Sequence, residues 1–252
     1  MKAMVFAAGL GTRLRPITDS MPKALVPVCG QPLLYHVLSR LRDAGYDEIV
    51  VNVHHFPQQI RDYLSSHGFG VRISISDESS ALLETGGGIR HAAPLLLPCD
   101  GPFLVHNVDI VSNLDLQCFR AQTPPGALAT LLVSERQTRR YLLFSDDMRL
   151  VGWTDTSTGE VRSPYTGLDP SGCRRYAFAG IHNISPAIFG AFDSMGMPER
   201  FPIMDFYLRA CASHPIYGVA AEDLTLVDVG KIETLAEAET ICRRILQLQP
   251  KH

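Results

Sequence analysis

Along the first 110 residues the apolar positions alternate between two spacings. Residues 3–7 are continuously apolar after Lys2, the pattern of a strand buried on both faces. Leu33, Leu34, Val37, Leu38, Leu41 and Ala44 then recur at helical spacing, with Pro32 at the start and Gly45 at the stop. Residues 49–53 form a β-branched run. Pro57 opens a second helix carrying Ile60, Tyr63 and Leu64 and ending near Gly68. Val71, Ile73 and Ile75 alternate as a strand, residues 85–89 start a short helix, and Phe103, Leu104 and Val105 form another buried strand. Strands and helices alternating at this spacing predict right-handed crossovers and a mostly parallel sheet covered on both faces.

The later pattern is less regular. Residues 127–134, 141–144 and 149–153 predict successive strands with polar turns, hence a small antiparallel addition. Residues 157–169 are rich in Gly, Ser, Thr and Pro and predict a loop. A strand at 176–184, helices at 186–192 and 202–212, and strands at 216–219 and 225–229 follow. Residues 232–248 close the pattern as a helix, with Leu235, Ala238, Ile241, Ile245 and Leu248 on one side. No repeat, low-complexity tract or long linker divides the 252 residues, which predicts a single domain over 1–252.

Composition narrows the class. With 46% hydrophobic and 19% charged residues the chain is expected to be globular, and a net charge of −3 gives no reason to expect a nucleic acid or an anionic membrane as partner. No stretch reaches the length of a membrane span. The apolar run after Lys2 is too short for a signal sequence, and Arg13 and Arg15 fall where a cleavage region would lie. Six cysteines, scattered and without ligand spacing, predict reduced, mostly buried thiols and a cytoplasmic setting.

Residues 7–28, AAGLGTRLRPITDSMPKALVPV, have neither period. They follow the first buried strand, where an open α/β sheet receives ligands. Gly9 and Gly11 let successive backbone N–H groups face one concavity, and Arg13 and Lys23 add positive charge suited to phosphate oxygens. Pro16, Pro22, Pro27 and Pro32 exclude a long helix. Leu14 stands where a third dinucleotide-binding glycine belongs, and no Gly-Lys-Ser/Thr follows. On the residues alone, a structural crossover with solvated basic side chains is the competing reading.

The run Gly9-Leu10-Gly11-Thr12-Arg13-Leu14-Arg15-Pro16-Ile17-Thr18, continuing to Pro22-Lys23-Ala24-Leu25, resembles the signature of the sugar-1-phosphate nucleotidyltransferases. The likeness continues through Gly30-Gln31-Pro32-Leu33, Leu83-Glu84-Thr85-Gly86-Gly87-Gly88, Asn107-Val108-Asp109, Phe178-Ala179-Gly180-Ile181 and Val227-Asp228-Val229-Gly230. The block around Glu84 and the compact length are most similar to the N-acetylmuramate-1-phosphate uridylyltransferases of cell-wall recycling. Mannose- and heptose-1-phosphate guanylyltransferases are the nearest alternatives, and a non-catalytic nucleotide-sugar-binding relative is a third.

The resemblance implies an α/β, Rossmann-like, doubly wound fold of the nucleotide-diphospho-sugar transferase type. The nucleotide-binding half would span about 1–110 and the sugar-binding half about 111–252. It implies a nucleoside triphosphate, UTP favoured, and a sugar-1-phosphate as substrates, with Mg²⁺ as cofactor. Gly9, Gly11, Thr12, Arg13 and Lys23 would hold the triphosphate, with Asp77 and Leu82 by the nucleobase. Glu84, Gly87, Asn107 and Gly180 would line the sugar side, and Asp109 and Asp228 would hold the metal. Arg13, Lys23 and Asp109 would carry catalysis.

Read from position alone, Asp109 and Asp228 each end a strand, where a turn or a helix cap is an equally ordinary role. The three glycines 86–88 at a helix start would let an anion approach the backbone, or would make a flexible turn. Three departures from the family stand out. Val108 replaces the usual glycine before the metal ligand, no Glu-Lys-Pro segment supplies a lysine for the sugar phosphate, and Lys231-Ile232 replaces Thr-Pro. Arg139, Arg140 and Arg162 are the candidate replacement cations, and Lys231 faces either phosphate or solvent. His54, His55, His91, His106, His182 and Trp153 are expected to pack or be solvated, and Asp205 is a surface charge or a substrate contact.

Overall fold

Strand β1 (Lys2–Phe6) lies at the centre of the fold, and its alternate side chains feed two different cores. Ala3 and Val5 point to one face and Met4 to the other, all with no exposed surface. The computed structural model that shows this describes residues 1–248, with side chains as far as Ile245. The expected place of the Leu248 side chain on the last helix face lies outside the described side chains.

After β1 come three short 3-10 turns, Thr12–Leu14, Ile17–Asp19 and Lys23–Leu25, then a tight hairpin of β2 (Pro27–Val28) and β3 (Gln31–Pro32). The next units are α1 (Leu33–Asp43), β4 (Glu48–Val53), α2 (Pro57–Ser66), β5 (Arg72–Asp77), α3 (Glu84–His91), α4 (Ala93–Leu96) and β6 (Phe103–Asn107). β7 (Ile110–Ser112) and α5 (Leu116–Ala121) lead to β8 (Ala129–Ser134), β9 (Arg140–Phe144), β10 (Leu150–Asp155), β11 (Glu160–Arg162) and the long β12 (Arg174–Ile184). The chain then forms α6 (Ile188–Ser194), α7 (Ile203–Ala210), β13 (Ile216–Ala220), β14 (Leu226–Asp228) and α8 (Glu233–Leu248).

The sheet runs β11-β10-β9-β12-β6-β1-β4-β5, with β8 on β12 and β13 on β8. β6, β1, β4 and β5 are mutually parallel, so their carboxyl ends open on one edge. β12 pairs antiparallel with β6, β8 and β9, joining the second half to the parallel centre. Helices α1, α2 and α8 cover one face, and α3, α4, α6 and α7 the other.

Several short elements escaped the sequence pattern. β11 falls inside the expected 157–169 loop, and β2, β3, β7 and α5 had no period to reveal them. The thiols also need correcting: all six are free, but only Cys211 and Cys242 are buried, and Cys118 is exposed. No helix among the described residues is long and apolar enough to cross a membrane.

Candidate active site

The irregular stretch after β1 is held by a few specific contacts. Gly11 sits at φ +63°, and a Cβ there would lie 2.9 Å from Thr18 Cγ2 and 3.1 Å from the Lys23 side chain. The Thr18 hydroxyl and the Leu14 N–H both donate to the Gly11 carbonyl at 2.8 Å. Upstream, the N–H groups of Ala7 and Ala8 donate to Asn52 Oδ1 at 2.7 and 3.2 Å. The N–H groups of residues 9–13 are left without a protein acceptor among the described residues. This is the concavity expected for an anion.

Asn52 is itself oriented. Its Nδ2 donates to Glu78 Oε1 at 2.7 Å, and Glu78 Oε2 accepts from the Leu83 N–H at 3.3 Å. Both side chains are almost fully buried. The pair therefore couples the glycine loop after β1 to the segment after β5.

The two aspartates meet through backbone pairing. Asp109 follows β6, and β7 then forms an antiparallel ribbon with β14 in which Asp228 is level with Ile110. The Val229 N–H donates to the Asp109 carbonyl at 2.8 Å, extending that ladder to the residue of interest. Lys23 is 7% exposed and its ammonium is paired with Asp109. Asp228 Oδ1 is buried with no hydrogen-bond partner. Burial pushes the Asp228 carboxyl up and Asp109 adds to this, while Lys23, Arg13 and Arg136 oppose it. At Gly230 a Cβ would come within 2.9 Å of both Arg13 Nη2 and Asp228 Oδ1, so only glycine lets the guanidinium stand there.

Arg13, Lys23, Asp109 and Gly230 face a cleft of about 560 Å³, whereas Asp228 lies outside its lining. Gly9, Gly11, Thr12, Arg13, Lys23, Leu82, Glu84, Asn107 and Asp109 line it, as expected. Asp77 does not: it is tied to Arg61 at 2.6 Å on the outer side of β5. Gly87 is also absent from the lining, because its side-chain space is taken by the Glu199 carbonyl, 2.4 Å from a virtual Cβ. The N–H groups of Gly86 and Gly87 donate to the Phe201 carbonyl at 2.9 and 3.2 Å, so they are not offered to an anion. Gly180, at φ +76°, lies behind Asn107, where a Cβ would touch Asn107 Nδ2 at 2.9 Å.

The replacement cations proposed from the sequence are elsewhere. Arg140 pairs with Asp155 at 3.6 Å, and Arg162 with Asp205 at 2.7 Å while lying over Trp153. Arg139 and Lys231 are exposed outside the cleft lining. Val108 is buried in the core and its N–H donates to the Phe6 carbonyl at 3.2 Å. Glu84 takes φ +63°, strained for a residue with a side chain, and pairs with Arg200 at 3.0 Å. The structure adds Asn52, Glu78, Arg136 and Gly230 to the candidates. Asn52 left a trace in the sequence as the polar residue interrupting the apolar run 49–53, and Gly230 stood in the block around Asp228.

A family model described as nucleotidyl transferase matches residues 2–141. The chain is 37% identical over 229 residues to N-acetylmuramate alpha-1-phosphate uridylyltransferase of Caulobacter vibrioides, covering 88% of this chain and 89% of that one. It is 47% identical over 116 residues to the protein of the same name from Neisseria meningitidis, covering 46% and 49%. A putative glucose-1-phosphate thymidylyltransferase from Bacillus anthracis superposes with a TM-score of 0.77 at 19% identity, over 96% of this chain and 95% of that one. At that identity the likeness concerns the fold. The chain belongs to the nucleotidyl transferase family, among its sugar-1-phosphate enzymes.

Proposed function

We propose that the protein transfers the uridylyl group of UTP to N-acetylmuramate-1-phosphate, giving a nucleotide sugar and pyrophosphate, in the cytoplasm and in cell-wall recycling. The reading of sugar and nucleotide rests on the two uridylyltransferase relatives. The observation that carries the site is the convergence of Lys23, Asp109, Arg13 and Asp228 beside the unbonded N–H groups of residues 9–13.

The chemistry asks for little beyond placement and charge. An oxygen of the sugar-1-phosphate forms a bond to the α-phosphorus as the bond to the bridging oxygen of pyrophosphate breaks, so negative charge moves onto the leaving group. Arg13 and the free N–H groups are placed to hold the outer phosphates, a geometry that needs no reorganisation at the moment of transfer. Lys23 reaches the reacting centre from the same loop, its stem buried so that its charge acts in a poorly screened setting.

The donor set fits a hard divalent cation. Asp228 offers a buried carboxylate oxygen with no other partner, and Asp109, one step along the ladder from its pairing partner Ile110, is a charge felt at it. No cluster of three or more His, Cys, Asp or Glu occurs among the described residues. Two carboxylates with phosphate and water oxygens are what magnesium commonly takes. Asp109 and Asp228 would hold Mg²⁺ there, and the ion would supply neutralisation of phosphate charge.

Pyrophosphate release measured with each nucleoside triphosphate against N-acetylmuramate-, glucose- and mannose-1-phosphate tests the proposal. UTP with N-acetylmuramate-1-phosphate is expected to give the highest kcat/KM. GTP with mannose-1-phosphate leading would replace the substrate assignment, and no release from any pair would remove the catalytic one.

A further inference from the structure

We propose that Asn52 and Glu78 are positioning residues for the triphosphate. Together they give the anion loop its shape and lock it to the cleft segment that begins α3. This rests on the triphosphate reading above and says how the chain prepares that site.

β1 ends at Phe6, level with Asn52 on the neighbouring β4. The next two residues, Ala7 and Ala8, have left the strand yet stay buried, where an unmade backbone hydrogen bond is costly. Asn52 Oδ1 accepts from both of their N–H groups, at 2.7 and 3.2 Å, in the place of a strand carbonyl. With those two turned toward β4, the N–H groups of residues 9–13 are the ones left for a ligand. An amide carries a donor and an acceptor, so this arrangement holds only if its orientation is fixed. Glu78 fixes it: an ionised carboxylate only accepts, and its Oε1 takes Asn52 Nδ2 at 2.7 Å.

The second carboxylate oxygen, Oε2, accepts from the Leu83 N–H at 3.3 Å, where α3 begins. Leu82, Glu84 and Thr85 beside it line the cleft, as Asn52 and Glu78 do. At Gly88 a Cβ would come within 2.8 Å of Glu78 Oε1 and 3.4 Å of Asn52 Nδ2, so α3 closes over the pair. The result is a bridge, 2% and 1% exposed, in which each polar group has one matching partner. Changing the polarity of either end breaks the match; changing both restores it.

The test exchanges the pair. Asn52→Asp sets two carboxylates against each other, and Glu78→Gln leaves one oxygen for two donors. Combined, they restore every bond with its direction reversed: the new carboxylate accepts from Ala7, Ala8 and the new amide, whose oxygen keeps the Leu83 N–H. Each single variant is assayed with whichever triphosphate and sugar-1-phosphate the wild type uses best. The triphosphate KM should rise about 10- to 50-fold while the sugar-1-phosphate KM stays within about twofold. The double variant should bring the triphosphate KM back to about threefold above wild type or better. Titration of inorganic tripolyphosphate without magnesium should follow the same order, because it reads the loop apart from turnover. An unchanged triphosphate KM in both single variants, an equal rise for both substrates, or a double variant no better than the singles would overturn the proposal. Where a single variant does not fold, the double variant decides. A folded protein with a near-wild-type KM supports the bridge, and one that fails to fold or keeps a raised KM removes it. A wild type that binds tripolyphosphate but releases no pyrophosphate would fail the proposed reaction, and the bridge would then be judged on the titration.

Discussion

Two glycine clusters lie near the same cleft and are used in opposite ways. Around Gly9 and Gly11 the backbone N–H groups have no protein acceptor and line the open volume. At residues 86–88 the equivalent room is already filled. The Phe201 ring would meet a Cβ on Gly86 at 2.2 Å, the Glu199 carbonyl one on Gly87 at 2.4 Å, and the Glu78 carboxylate one on Gly88 at 2.8 Å. The first cluster lets a ligand approach the chain; the second lets the chain approach itself, docking α3 onto residues 199–203. Glycine signals closeness, and only the fold says to what.

The contrast is sharpest where chemistry is concentrated. Asp109→Asn should lower kcat/KM by about 1,000-fold, some 4 kcal/mol, with the denaturation midpoint little changed. Near-normal turnover with magnesium would take the first cluster's neighbourhood out of the reaction. Lys23→Ala should cost about 100-fold, and a loss below tenfold would make it a mere loop residue. On the packing side, Gly86→Ala should destabilise the fold by about 2–3 kcal/mol in urea titration, since the Phe201 ring must move. The protein that stays folded should keep its KM for triphosphate. A stable Gly86→Ala enzyme with a large rise in that KM would reverse the comparison. Gly11→Ala should do the opposite, raising the triphosphate KM by an amount worth about 1–2 kcal/mol through its left-handed backbone.

A pH effect reports on the dry packing face. His182 is fully buried against the Tyr207 hydroxyl at 2.7 Å, and burial brings its imidazole down to about 3. The unfolded chain takes up that proton first, below the ordinary value of 6.5. Stability is therefore complete above about pH 6.5 and falls by about 1.4 kcal/mol per pH unit as pH drops toward 3. Chemical denaturation across pH 4–7 should show this slope, and His182→Gln should reduce it by that amount. An unchanged slope in the variant would mean that water reaches this face.

Periodicity carried much of the architecture into view. Each parallel strand and its helix contain enough apolar residues for their spacing to stand out, from Leu33 through Leu41 for α1 to the run ending at Val53 for β4. The β7–β14 ribbon has only three residues a side, too few to show an alternation, yet it brings Asp228 to Asp109. Only the likeness to a family linked those two. The loop proposed to hold phosphate was legible because its residues form one continuous run. Glu78 was not, since a buried carboxylate satisfied by an amide and a backbone N–H looks in sequence like any surface acid. Arg140 and Arg162 could not be set aside in the sequence, because that depends on their aspartate partners Asp155 and Asp205.

The narrow ribbon holding Asp228 stands apart from the main ten-stranded sheet. In paired strands a slip of a single residue turns every side chain to the opposite face. Such a slip would present Val227 or Val229 where the acid now stands. On the proposed reading the second acid is thus set like a switch with two positions, in place or gone, and a disturbance of this small strap would silence turnover while the large sheet beside it stays whole.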